Sequence, residues 1–521
     1  MAHFIEEFWK NNSALWNDNL ITRFPPEPNG RLHLGHLRSI WLNMSMANAF
    51  GGKMHLRMDD TNPEKEDVLH EYAIIATLNL LGVSWTGNIR YASDHFHAMH
   101  TMANACIRSG LAFVDTSSKE TISAMRGDLH TSGTRSKDAE NSIAWHLDMF
   151  EKMTAGDFPD GGPVLRAKIN MSAPNINLRD PILYRVKHIE HVRTGAFWCV
   201  YPTYDFAHPF CDVAEGVALS LCTLEFEDHR PLYDWVCEYA LPFAPTHAVH
   251  KPVELEFARL EITNGLTSKR KINALVSEGR VDGWDDPRLL TLDALARRGF
   301  PPHVLFKFIE DCGISRSNSE LPFSRLEDTL RLELDATAVR RVLVLDPVEL
   351  TISGSTMDTV STINNHPKNT LLGTREFGFS SSVYVERDDI RLPGKVENGF
   401  KRLELGACVR LMNMDIVTVT AIDDADGRIT KVYAEATPDA KPRATIHALS
   451  ISHALKVDVV APSIIGSDDT PESCMRTYAA VVEPGAMDLL DTFHAIRVGY
   501  AVVDCNNRSR LILTTGLKKG F

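Results

Sequence analysis

Six consecutive residues, Pro25-Pro26-Glu27-Pro28-Asn29-Gly30, form a stretch that neither a helix interior nor a central strand can accept. Proline has no backbone N–H and a fixed φ, so the stretch must be a stiff loop. Residues 19–24 before it read as a short strand. After it, from 35 to 50, Leu37, Ile40, Trp41, Met44 and Ala47 recur at helical spacing. Gly51-Gly52 ends that helix. Residues 54–58 read as the next strand, and Asp59-Asp60 follow it. A connection of this length makes the two strands parallel. The Pro/Gly loop and the acidic pair then share the carboxyl ends of neighbouring strands, where open α/β sheets bind ligands.

The rest of the chain divides by texture. Residues 93–203 read as a mixed insertion, with a loop or hairpin tip at 127–133 and strands at 163–169 and 198–201. The sheet pattern is expected to resume near Tyr204. Residues 286–341 read as helical, one helix starting at Pro301-Pro302 and stopping at Gly313. After about Asp346, short alternating runs at 382–386, 407–411, 415–419 and 498–503 stand between Gly, Asp and Asn turns, which predicts barrel-like β structure. Residues 466–473 read as a surface loop.

Two strings carry chemistry. In Arg23 to His36, a helix N-terminus follows the stiff loop, and its free N–H groups and dipole suit phosphate. Gly35 permits close backbone approach, while His33 and His36 can donate to phosphate oxygens. The second string, Leu266-Thr267-Ser268-Lys269-Arg270-Lys271, is a cationic loop suited to a leaving pyrophosphate. Taken alone, it reads more readily as a solvated basic loop.

Charge argues mildly the other way. The formal net charge of −13 is unlike that of a nucleic-acid binder, although net charge says nothing about a local basic face. The nine cysteines show no close pairing, so neither a disulfide framework nor a zinc site is expected. No apolar run is long enough to cross a membrane. The acid-bearing start does not read as a secretory signal, so a cytosolic location is expected.

The ordered strings FPPEPNGRLHLGH, LRMDDTNPEKED, YPTYDFAH, SLCTLEFEDHRPLYDW, SKRK and VDGWDDPR resemble the class I aminoacyl-tRNA synthetases of the glutamine/glutamate subgroup, and closely the glutaminyl-tRNA synthetases. The likeness is near-continuous over about 20–347 and looser over 348–521, where the chain looks shorter than is usual. It implies a Rossmann-type parallel-sheet catalytic domain (1–92 and 204–265), an inserted acceptor-stem-binding domain (93–203), an SKRK loop with a helical subdomain (266–341) and C-terminal β-barrel anticodon-binding domains (342–521). It also implies ATP-dependent charging of tRNA(Gln) through glutaminyl-adenylate, Mg²⁺ arriving with ATP as substrate, no dedicated metal cage, and a monomer. His208 and Cys222 stand where glutamate enzymes usually have cysteine and arginine, which favours glutamine.

Carried over by position, Glu27, Pro28, Asn29, His33, Leu34, Gly35, His36, Leu37, Arg38, Ser39, Thr223, Arg259, Leu260, Thr267, Ser268 and Lys269 would line ATP. His33, His36 and Lys269 would meet developing phosphate charge. Asp59 would hold the substrate α-ammonium, with Tyr204, Arg23 and His208 around its side chain. Leu129 would wedge the first acceptor pair, Asp228 would read the acceptor minor groove, and Arg340 would contact the anticodon. Thr267 and Glu254 depart from the family's usual methionine and glutamine. The competing readings are a glutamyl-tRNA synthetase and a catalytically inactive tRNA-binding paralogue.

Overall fold

The 21–58 segment folds as its pattern requires. In a computed structural model that describes residues 3–246, 250–355, 359–392, 399–466 and 469–517, strand Ile21–Phe24 is buried at every position. It pairs in parallel with Lys53–Met58, Ile21 opposite Lys53 and Phe24 opposite Leu56. Helix Leu34–Ala49 is the crossover between them. Lys53–Met58 pairs in parallel with Arg90–Tyr91 on its other side. Strand Leu219–Thr223 pairs in parallel with Val253–Phe257. The Ala218 N–H donates to Ile21 O at 2.9 Å, which sets that pair beside the first strand.

The sheet does not resume at Tyr204. Tyr204–Ala214 is a helix, and the strand comes later, at Leu219–Thr223. Phe206, Ala207, Phe210, Cys211 and Val213 repeat at helical spacing and are all buried. That burial outweighs the cost of Pro209 inside the helix.

Within the insertion, Ala112–Asp115, Val164–Ala167, Ile182–Val186 and Val200–Pro202 form an antiparallel sheet in chain order. Its core is not its own. One buried cluster runs from Phe96, Val114, Leu165 and Tyr184 to Phe206, Phe210 and Tyr233 on the flanking helices. Insertion and catalytic sheet accordingly fall in one compact unit, residues 1–261 with 309–320.

The second unit comprises 262–308 and 321–521. Helices Leu292–Arg297 and Ser324–Asp335 precede two seven-stranded sheets. Helix Pro302–Cys312, of which 302–308 belong to this unit and 309–312 to the first, starts after Pro301 and ends at Gly313, whose φ of +65° suits glycine. One sheet surrounds Val348, Leu350, Val383, Val417 and Val432. The other surrounds Leu343, Val459, Val482, Phe493 and Leu511. Strand Ser382–Glu386 has the alternating burial its sequence predicts. Ile416–Ala425 is longer than the 415–419 run suggests, because it forms a hairpin with Arg428–Ala436. The expected loop at 466–473 lies partly outside the described residues, and Gly466 is bridged to Gly265.

Candidate active site

Helix Leu34–Ala49 is capped by histidines in place of the usual hydroxyl or carboxylate residues. The Gly35 N–H donates to His33 Nδ1 and the His33 N–H to His36 Nδ1, each at 3.1 Å. The two rings lie 3.9 Å apart, centroid to centroid. With Nδ1 accepting, each neutral ring carries its proton on Nε2, and this assignment follows from the hydrogen bonds. Two N–H donors therefore stand at the positive end of the helix dipole, where an anion is stabilised. Gly35 is required locally: a Cβ there would sit 2.9 Å from His33 Cε1.

The stiff loop is pinned to the acidic pair. Asp59 N–H donates to Pro26 O and Asp67 N–H to Pro28 O, both at 3.0 Å, which fixes Glu27, Pro28 and Asn29 beside Asp59. The two acids have different jobs. Asp60 is buried and accepts from Ser93 N–H (2.9 Å) and Ser93 Oγ (2.6 Å). Asp59 has only Thr61 Oγ1, at 3.3 Å. Burial pushes Asp59 up to about 6 against the pull of Arg57. An ammonium placed there would restore its charge.

Beneath this lies a buried ion network that the sequence reading missed. Arg23 Nε donates to Asp212 Oδ1 at 3.2 Å, and its other nitrogens reach Leu221 O (3.2 Å), Ser220 Oγ (2.7 Å) and His208 Nε2. Arg57 donates to the same Asp212 oxygen (2.8 Å) and to Glu215 Oε2 (3.1 Å). Tyr233 Oη donates to Asp212 Oδ2 at 3.0 Å. Burial alone would raise the Asp212 pKa, but Arg23, then the His208 contact and Arg57, hold it well below the carboxylate range. Burial depresses His208 to about 4, consistent with a neutral ring accepting from Arg23. The only local signal for this network is the four-residue step from His208 to Asp212, which puts both on one helix face.

Tyr204 stacks on His208 (5.1 Å, 21°) and leans on Phe226 (5.3 Å). These rings, with Asp205, His229, Tyr233 and Glu254, line a small recess. Arg23, His208 and Tyr204 are thus joined, by the Arg23–His208 contact and the Tyr204 stack. Arg23 is spent on Asp212 and carries little charge outward.

Three of the expected nucleotide contacts have their side chains on the buried side of the helix. Leu34 and Leu37 are buried in the core, and Arg38 is buried with its guanidinium on Ala258 O (2.9 Å) and Gly313 O (2.5 Å). These side chains hold the helix in place. Ser39 is half-buried on the same helix. Thr223 Oγ1 donates to Glu225 (2.8 Å), exposed Arg259 pairs with Glu225, and Leu260 is buried. In the second unit, Thr267 and Ser268 are exposed, and Ser268 is the N-cap of helix Lys269–Ser277.

Leu129 is 77% exposed at a loop tip held from below. Buried Arg179 donates to Arg126 O (3.0 Å), Asp128 O (2.9 Å), Thr131 O (2.9 Å) and Ala173 O (2.8 Å). Asp128 Oδ1 also accepts from His130 and Thr131 N–H, at 2.8 and 2.7 Å. Asp228 has an exposed carboxylate, and its backbone carbonyl accepts from Asn175 (2.7 Å) and Asn177 (3.0 Å). Arg340 meets Asp335 Oδ1 at 3.1 Å.

Residues 19–335 match the family described as tRNA synthetases class I (E and Q), catalytic domain, and residues 338–437 match its anti-codon binding domain. A glutamine–tRNA ligase of Nitrosomonas europaea is 42% identical over 94% of this chain and 90% of its own length. One of Ralstonia nicotianae is 43% identical over 93% of this chain and 88% of its own. One of Xanthomonas oryzae pv. oryzae is 42% identical over 97% and 94%.

Proposed function

Because the chain belongs to the class I tRNA synthetases for glutamate and glutamine, we propose that it joins L-glutamine to tRNA(Gln) at the expense of ATP. The observation that carries the choice of amino acid is the fate of Arg23. It is a buried cation that touches His208, the ring on which Tyr204 stacks, and Asp212 already neutralises it. A side-chain carboxylate would find no uncommitted positive charge there, whereas an amide needs only hydrogen bonds. The identity to glutamine–tRNA ligases over nearly the whole chain supports the same reading.

The chemistry runs in two steps. The glutamine carboxylate attacks the α-phosphorus of ATP, the bond to pyrophosphate breaks, and glutaminyl-adenylate forms. The terminal 2′-OH of the tRNA then attacks the carbonyl and AMP leaves. The attacking carboxylate is already ionised, so positioning and charge stabilisation can carry the first step without a side-chain base. The Nε2–H groups of His33 and His36 serve the phosphates at the helix entrance, and Lys269 serves the leaving pyrophosphate. Asp59 holds the α-ammonium, Tyr204 and His208 the side chain. Mg²⁺ accompanies ATP as part of the substrate. Leu129 would press on the first acceptor pair, with Asp228 and Arg340 on the tRNA. Among the described residues no helix is long and apolar enough to cross a membrane. We place the enzyme in the cytosol as a monomer.

The test is to charge unfractionated tRNA with labelled glutamine and, in parallel, labelled glutamate. A glutamine-only product is expected. Charging with glutamate would overturn the amino-acid assignment, and no charging with either would overturn the activity.

A further inference from the structure

Glu254 sits on strand Val253–Phe257, opposite Ser220. It is 3% exposed, meets the Cys222 thiol, and lines the recess beside Tyr204. Its Oε2 is buried and accepts from nothing. Nearby cations do not answer it: Arg23 is committed to Asp212, and Arg230 to Glu256. A buried carboxylate oxygen with no donor is costly, and is retained where something else supplies the donor. A primary amide brings two N–H donors and no charge. A carboxylate brings no donor and a like charge.

We infer that Glu254 is a specificity-determining residue: its carboxylate accepts from the side-chain amide of glutamine and turns glutamate away. This rests on the function proposed above.

The filter has a pH signature. Burial pushes Glu254 up to about 7. Cys222 lowers it through a hydrogen bond and Arg23 and Arg230 by their charge, whereas Asp212 raises it. The recess also presents Tyr204, His208 and Tyr233, with His229 held by Asp205 at 2.7 Å and raised in turn. Charged Glu254 accepts and repels. Protonated, it can donate to a carboxylate. Selectivity for glutamine over glutamate therefore rises as pH rises through neutrality.

The experiment measures kcat/KM for tRNA charging with each amino acid, for the native chain and Glu254→Gln, between about pH 6 and about pH 8.5. The native glutamine/glutamate ratio should climb about tenfold across that range, and the variant's ratio should be flat and at least about tenfold lower at the alkaline end. His229 is unchanged in the variant, so a slope that persists there overturns the inference, as does a native ratio independent of pH. The native profile needs no variant and stands if Glu254→Gln does not fold. A native protein that charges glutamine with an unmoved ratio refutes only the role of Glu254. One that charges neither amino acid refutes the underlying function.

Discussion

Removing the Arg179 guanidinium with Arg179→Ala should loosen the loop that presents Leu129 and little else. Three of its four hydrogen bonds go to carbonyls of the 126–131 segment, at 2.9 to 3.0 Å. Each charge-assisted bond contributes about 1.5–3 kcal/mol net, but bonds sharing one cation do not add. Water can re-solvate loop carbonyls at a surface, and Asp128 still holds two N–H groups of the loop. A net loss of ~2 kcal/mol in loop order is therefore expected, which converts to roughly thirtyfold in kcat/KM for tRNA. The assay is glutaminylation of two transcripts, one with a paired and one with a mismatched first acceptor pair. If Leu129 is a wedge, the mismatched transcript is already open and should be charged by the variant within about threefold of the native rate. An equal loss on both transcripts would refute the reasoning, because it would place Arg179 in the fold at large. No loss on either would show that the loop needs no clamp.

Three further outcomes follow from the geometry. Gly35→Ala forces a Cβ against His33, so the cap must open and charging should drop by about a hundredfold with the melting temperature nearly unchanged; native charging would sink the tautomer argument. Asp212→Asn leaves Arg23 and Arg57 buried without their shared counter-charge and should lower stability by about 3–5 kcal/mol, read as a urea midpoint; a change under ~1 kcal/mol would contradict it. His494 is buried with neither ring nitrogen partnered, and burial depresses it to about 4. The unfolded chain takes up its proton first, so stability is present above the unfolded value of about 6.5 and is lost as pH falls toward 4, ~2 kcal/mol of it between pH 7 and 5. His494→Phe should be more stable at pH 7 and lose correspondingly less at pH 5, and equal losses in both proteins would exclude His494 as the source.

Local pattern made the first parallel pair legible, since Pro25 to Gly30 can only be loop and the helix after it shows its period. It also made Ser382–Glu386 legible, because alternation there matches one buried face. At Tyr204 two periods competed and only tertiary burial decided between them. The site residues nearest the helix entrance were visible as a string. Their supports were not. Nothing in the string around Arg38 shows that its guanidinium goes to Ala258 and Gly313, and the leucine tip gives no hint of Arg179 behind it. Partners far apart in sequence leave no mark on each other's neighbourhood.

The shared counter-ion at Asp212 also sets an order of events in time. Arg23 waits 189 positions for it and Arg57 waits 155. At a ribosomal pace of ~5–20 residues per second, the first strand emerges roughly ten to forty seconds before its charge can be matched. Until then the parallel pair would bury two bare cations, so it stays open to solvent. The antiparallel strands between Ala112 and Pro202 join neighbours in chain order, but their core waits in the same way for Phe206, Phe210 and Tyr233. Catalytic sheet and inserted region would then close together, once the helices that carry Asp212 and Tyr233 have been made.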